Sequence, residues 1–219
     1  MSARLVSIEM RRLERQLRLI AIMDAAERCG LVPISSHDLH AVAYLTDVLA
    51  PVWDLPVLDG HVLKRKGSPF FPPMQRDLDS LVGMGVVQVD QFRYQHGDDE
   101  WRLDADYSLY RPFADRILAA LKEHESHRTS YTFTQEVVYA ASGFGEDELR
   151  QLRNADAAYS DPLVDIGGLV TIADDGGKLN ETAKVALRFQ QLSESRRRFS
   201  SAEAIHLYVR HLYSRMNVA

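Results

Sequence analysis

The sequence predicts a mainly α-helical protein with a small β-hairpin wing, built as a winged helix-turn-helix core followed by a helical C-terminal region. Three observations carry this. The run from Lys64 to Tyr107 reads as a short helix, a strand, a polar turn and a second strand, the order of the second half of a winged unit. Ahead of it, two apolar-periodic segments are separated by Gly30 and Pro33, which supplies the two preceding helices. Behind it, the chain turns to helical periodicity. The division expected is an N-terminal helix plus winged unit over residues 1–110 and a helical unit over 111–219.

Ser2 to Arg28 reads as one long helix or two joined end to end. Leu13, Leu17, Ile20 and Asp24 recur at three- and four-residue steps, and so do Leu5, Ile8 and Arg12. Residues 17–28 are expected to pack as the first helix of the winged unit, with the earlier turns projecting as an arm. Ser35 and Ser36 offer N-caps for a helix from His37 to Leu49. Ala50 to Pro69 is an irregular connector in which Val62 and Leu63 are expected to supply the first strand of the winged fold. Pro72 and Pro73 suit a first helical turn, where a missing N–H leaves no bond unmade. Leu78, Leu81 and Val82 form the apolar stripe of that third helix, and Gly83 and Gly85 end it. Val86, Val87 and Val89, continued by Phe92 and Tyr94, read as a strand. Gly97-Asp98-Asp99 is the turn, and Trp101, Leu103 and Ala105 alternate on the return strand.

Downstream, helices are expected over 112–125, 131–142, 146–159 and 180–195. Between the last two, Val164 to Ile172 reads as an extended segment or small hairpin. Ser200 and Glu203 have the spacing of a capping box, which opens a final helix over 202–216.

Composition narrows the function classes. No apolar run approaches the ~20 residues of a membrane helix, and the N-terminus lacks the apolar core of a secretory leader. The single cysteine, Cys29, excludes an internal disulfide and points to a reducing, cytoplasmic setting. It ends an apolar helix, as a structural thiol does. The net charge of −5 is unevenly spread. Residues 77–187 hold ten Lys or Arg against twenty-one Asp or Glu, whereas residues 188–219 hold six against two. So acidic a middle disfavours wrapping that surface around DNA.

Chemistry-bearing patterns are sparse. No phosphate-binding loop, dinucleotide fingerprint or nucleophile elbow is present, so no catalytic residue, cofactor or metal site is assigned. His37 and His40 stand at metal-ligand spacing but lack further ligands nearby. Lys64-Arg65-Lys66 is the densest basic cluster before the third helix, where winged units touch phosphates. With Arg76 it forms the candidate DNA or phosphate contact, against the simpler reading of an exposed basic loop. Arg196-Arg197-Arg198 reads first as solvated surface. The third helix also carries Asp77 and Asp79, which disfavour base readout and favour protein contact.

Three patches together resemble a known family. They are Leu39 to Leu45 with Leu58 to Lys64, Gly67 to Pro73 followed by the leucine-bearing helix and Gly85-Val86-Val87, and Ala155 to Pro162 with Asn180 to Ala183. The combination resembles the middle components of bacterial ABC-three-component defence systems, to which Lamassu-type antiphage systems belong. The resemblance implies a winged-helix adaptor without chemistry of its own, bridging an SMC-like ABC ATPase and an effector, often a nuclease, with DNA reached through the complex. Under that reading Leu5, Ile8, Arg12, Arg197, Tyr208 and Leu212 are the candidate partner interface. The runner-up is a DNA-binding transcriptional regulator using the third helix and Lys64-Arg65-Lys66. A third resemblance, to an antitoxin-associated domain, implies contact with a toxin or protease.

Overall fold

A computed structural model describes residues 3–65, 69–97, 100–144, 156, 159–160, 162–173, 179–191 and 199–216. The chain is mainly helical, with two small antiparallel sheets. Helix α1 spans Ala3–Arg28, strand β1 Ile34–Ser35 and helix α2 Ser36–Leu49. A short 3-10 turn, Ala50–Trp53, leads through the connector to β2 (His61–Lys64) and β3 (Pro69–Phe70). Helix α3 is Pro72–Gly83, followed by the hairpin β4 (Val87–Gly97) and β5 (Glu100–Leu109). Helices α4 (Arg111–Glu123) and α5 (Glu125–Ala141), strand β6 (Leu169–Thr171), and helices α6 (Glu181–Gln191) and α7 (Ser201–Met216) complete it.

Local chemistry explains most boundaries. Ser35 caps α2, its hydroxyl accepting from the Asp38 amide at 3.1 Å. Pro72 and Pro73 occupy the first turn of α3. Gly85, at φ +70°, lets the chain leave α3 and enter β4, and a side chain there would be strained. In the Ser200–Glu203 box, the Glu203 amide donates to Ser200 Oγ at 3.2 Å while the Ser200 amide donates to the Glu203 carboxylate at 2.8 Å. The helix expected over 112–125 ends at Glu123, because His124 takes an extended conformation. Helix α5 then starts six residues earlier than the 131–142 expected from its apolar stripe. Of the helix expected over 146–159 only Asp156 and Tyr159 are described, and neither is helical; the turn residues Asp98 and Asp99 lie outside the described residues.

The sheets correct one expectation. Val62 and Leu63 do not border the hairpin. They lie in β2, which pairs with β3 on one side and β6 on the other. The strand beside the hairpin is β1, with Ile34 opposite Tyr107 and Ser35 opposite Asp106, giving the order β1-β5-β4. Ile34-Ser35 offers a single apolar residue beside a helix cap, whereas Val62 and Leu63 are adjacent apolar residues in an otherwise irregular connector. Of the two forms expected over 164–172, an extended segment or a small hairpin, the structure has the extended one: β6 pairs with β2, Val170 opposite Val62.

One cluster of buried side chains joins these elements. From Leu19 to Ala26 the second half of α1 is enclosed, with Ile22, Met23, Ala25 and Ala26 fully buried. It packs on α5, which in turn meets α7. Leu109 at the end of β5 and Ala114 and Leu118 in α4 belong to the same cluster.

A buried polar hub ties the far C-terminal helices to α2. Asp156 is fully buried. It accepts hydrogen bonds from the Tyr44 hydroxyl, from Thr182 Oγ1 at 2.7 Å, from the Tyr208 hydroxyl at 2.6 Å and from the Tyr159 amide at 3.0 Å. Burial and the neighbouring Asp156 charge push the Tyr44 hydroxyl well above its usual range, so it stays a donor. Asn180 adds a second tie, donating to Val48 O at 3.1 Å. Replacing Asp156 with Asn exchanges an acceptor for a donor among these hydroxyls. The expected loss is about 3 kcal/mol of unfolding free energy, against about 1 kcal/mol for Tyr208→Phe, measured by urea denaturation.

Candidate interaction surfaces

The first surface is the N-terminal half of α1, the expected arm. Arg12, Arg15 and Arg18 recur at three-residue steps and so line one side of the helix. Each finds carboxylates on another element. Arg15 Nε lies 2.6 Å from Asp77 Oδ2 in α3 and its Nη1 3.5 Å from Asp59 in the connector. Arg18 reaches Asp47 of α2 at 2.5 Å and Asp59 at 3.3 Å. Arg12 contacts Asp77 at 3.3 Å and donates to Ser80 Oγ at 2.9 Å. Asp47 also accepts from the Leu58 amide at 3.0 Å. Burial, reinforced by the Asp47 charge, raises the Asp59 carboxyl to about 6 despite Arg18 and Arg15. The arm is thus held against α3 and the connector by its basic side.

This geometry redistributes the expected interface. Arg12 is engaged with α3, although its side chain remains 55 % exposed. Ile8, on the same side of α1, is exposed. The backbone at Leu5 is helical. The opposite side of the arm carries Met10 and Leu13, 51 % and 47 % exposed, and then Leu17, which is half-buried. Leu17 and Glu14 line a cleft of about 220 Å³ with Pro56, Leu121, His127 and Phe133. Tyr208 and Leu212 are not surface residues. Both are 1 % exposed, because α7 turns its apolar stripe into the chain's own core and Tyr208 binds Asp156. Arg197 lies outside the described residues.

The basic cluster is also tied inward. Lys64 Nζ donates to Val164 O at 2.8 Å and lies 5.9 Å from the centre of the Tyr159 ring. The Arg65 guanidinium stacks 3.6 Å above the Phe70 ring, and the Arg65 carbonyl accepts from the Tyr159 hydroxyl. Lys66 is outside the described residues. Arg76 is exposed on α3. Asp77, expected to face outward and repel phosphate, is instead buried against Arg12 and Arg15. The outward acid of α3 is Asp79, which accepts from Gln75 at 3.0 Å.

His40 fastens the entrance of α3. Its Nδ1 accepts from the Phe71 amide at 3.2 Å, and its Nε2 lies 3.2 Å from Gln75 Oε1, which makes Nε2–H the donor. Burial, with the charges of His37 and Arg65, lowers its pKa to about 4 against the pull of Gln75. The His37–His40 spacing therefore serves structure. His37 pairs instead with Asp104 at 3.4 Å. Burial alone would raise Asp104, but hydrogen bonds from His37 and Ser36 bring it to about 2. Among the described residues no group of three His, Cys, Asp or Glu is placed to hold a metal.

The second exposed apolar surface is the hairpin. Phe92 and Tyr94, two apart on β4, share one face and are 66 % and 74 % exposed. Arg93, between them, turns to the other face and donates to Asp106. The third is the turn before β6 together with the first residue of that strand, where Leu163, Ile166 and Leu169 are exposed.

No family model matches this sequence, and no curated protein matches it.

Two outcomes follow from the ion pairs and from His40. Asp77→Asn removes the shared carboxylate of Arg12 and Arg15. It is expected to lower stability by about 1 kcal/mol and to reduce hydrogen-exchange protection selectively in α1 residues 8–15. For His40, the folded pKa of about 4 lies below the unfolded value near 6.5. The unfolded chain therefore binds more protons between those limits, and stability falls on acidification from pH 6.5 to 4. Asp59 acts oppositely between about 4 and 6, since its folded pKa is raised. Urea denaturation of His40→Asn across this range isolates the histidine. The variant's deficit relative to wild type should shrink by about 3 kcal/mol between pH 7 and pH 4.

Proposed function

We propose that the chain is a non-catalytic adaptor built on a winged helix, which docks on partner proteins in a bacterial antiviral defence complex. The supporting topology is α1-β1-α2, then a connector that carries a 3-10 turn, β2 and β3, then α3-β4-β5, with β1 on the β5 edge of the hairpin. Apart from the inserted β2 and β3, this order supports reading α3 as a recognition helix and the hairpin as its wing. The adaptor role, between an SMC-like ABC ATPase and an effector, rests on the resemblance carried by the three sequence patches. Two of these patches meet in the structure: Tyr44 of the first and Asp156, Tyr159 and Thr182 of the third share one hydrogen-bonded hub.

The observation that favours protein contact is what the surface displays. Lys64 and Arg65 make internal contacts, while Met10, Leu13, Phe92 and Tyr94 are offered to solvent. The DNA-binding regulator remains the second reading, on one specific ground. With Asp77 turned inward and Arg76 outward, the outer face of α3 is less acidic than the sequence implies.

Affinity purification of the tagged chain from its host, at ~150 mM salt with nuclease treatment, separates the two. Recovery of an SMC-like ATPase and an effector is the expected result. Recovery of the chain alone, together with a discrete footprint on DNA that Arg76→Ala abolishes, would replace the adaptor with the regulator.

A further inference from the structure

The exposed side of α1 has a register of its own. Met10, Leu13 and Leu17 are separated by three and then four residues, and Ala3 and Val6 precede them at four and three. This is the a/d spacing of a coiled-coil strand. Among the residues whose side chains are described it runs from Met10 to Leu17, about one heptad, before Ile20, the next position, sinks into the core at 1 % exposure. Helical periodicity sets this seam on the side of α1 away from Arg12 and Arg15, which are bound to Asp77. The seam also has a defined end, since Leu17 and Glu14 lead into the cleft between Pro56, Leu121 and Phe133.

The residues beside the seam decide what can cover it. In the heptad register Glu9 takes a g position and Glu14 the following e position. In a parallel pair of two copies, Glu9 of one faces Glu14 of the other. In an antiparallel pair with Met10 opposite Leu13, Glu9 comes beside Gln16 and Glu14 beside Ser7, so neither glutamate gains an opposite charge. A parallel second copy is therefore disfavoured, and an antiparallel one leaves both glutamates unmatched. A helix with Lys or Arg at those positions meets both glutamates with opposite charge. In this register Arg11, Arg12 and Arg15 fall at b, c and f, outside the e and g positions that flank the seam.

We propose that the Met10–Leu13–Leu17 seam is the docking strip for an amphipathic helix of a partner protein, apolar at its a and d positions and basic along its flanks. The partner helix pairs with the arm as a short two-stranded coiled coil, and its end side chain fills the cleft beside Leu17. This deepens the adaptor reading by naming the chemistry of one partner. It is tested without the host complex, so its failure is distinguishable from failure of the affinity purification.

The test uses the full chain and two synthetic peptides of about 20 residues, both with Leu at a and d. One carries Lys at e and g, the other Glu. Fluorescence anisotropy at ~150 mM salt should show the Lys-flanked peptide binding at least about tenfold more tightly. Leu13→Asp should abolish binding, although it adds a negative charge that a purely electrostatic attraction would exploit. Its thermal melt should stay close to wild type, because Leu13 is 47 % exposed. The double variant Glu9→Lys/Glu14→Lys should reverse the preference toward the Glu-flanked peptide. Equal binding of the two peptides, undiminished binding to Leu13→Asp, or no binding of the Lys-flanked peptide would overturn the proposal. So would sedimentation equilibrium showing a dimer of the chain that Leu13→Asp dissociates, since the seam's occupant would then be a second copy.

Discussion

The packing of the C-terminal helices against α2 depends on one buried carboxyl group. Asp156 gathers hydroxyls from α2, α6 and α7 and a backbone amide from its own loop. Apolar packing is tolerant of small displacements, whereas four hydrogen bonds converging on two oxygens are not. The hub therefore sets the register in which α6 and α7 meet α2, and the surrounding cluster of Val48, Ala183, Ile205 and Val209 fills the space it defines. A buried polar group of this kind is costly to leave half-satisfied, which favours a single arrangement over near alternatives.

A second set of charges serves a different end. The arginines of α1 meet aspartates of α2, α3 and the connector, three elements that share little backbone pairing. These pairs orient the first helix across the third. They also turn Asp77, one of the two acids of α3, away from its outer face. The electrostatic character of the surface consequently differs from that of the sequence: cations and anions prominent in the chain are matched internally, and apolar groups are left facing water.

How much of this was legible in the sequence depended on range. The Ser35 cap, the proline pair that starts α3, Gly85 and the Ser200–Glu203 box all act within a few residues, and each was read correctly. The Asp156 hub was invisible, because Tyr44 and Tyr208 lie 112 and 52 positions away and no local pattern marks a buried carboxyl. The apolar stripe of α7 was visible, but periodicity shows only that a face will be covered, not by what. Tyr208 and Leu212 accordingly read as an interface when they belong to the core. Lys64-Arg65 misled for a related reason, since a charge run says nothing about the carbonyl and ring that receive it. The spacing of Leu13, Leu17 and Ile20 was legible, but the interface was expected along the other stripe, Leu5, Ile8 and Arg12, and Met10 belonged to neither.

Asp77 has a consequence for the molecule as a device. It stands between the arm and α3, bonded to two arginines of the first while embedded in the second. Any bending of the arm must either carry α3 with it or separate those ion pairs. The arm and the outward face of α3 are therefore mechanically joined, and whatever rigidifies one restricts the other. Free-energy linkage makes that relation reciprocal, so occupancy of α3 must favour or oppose occupancy of the arm by the same factor.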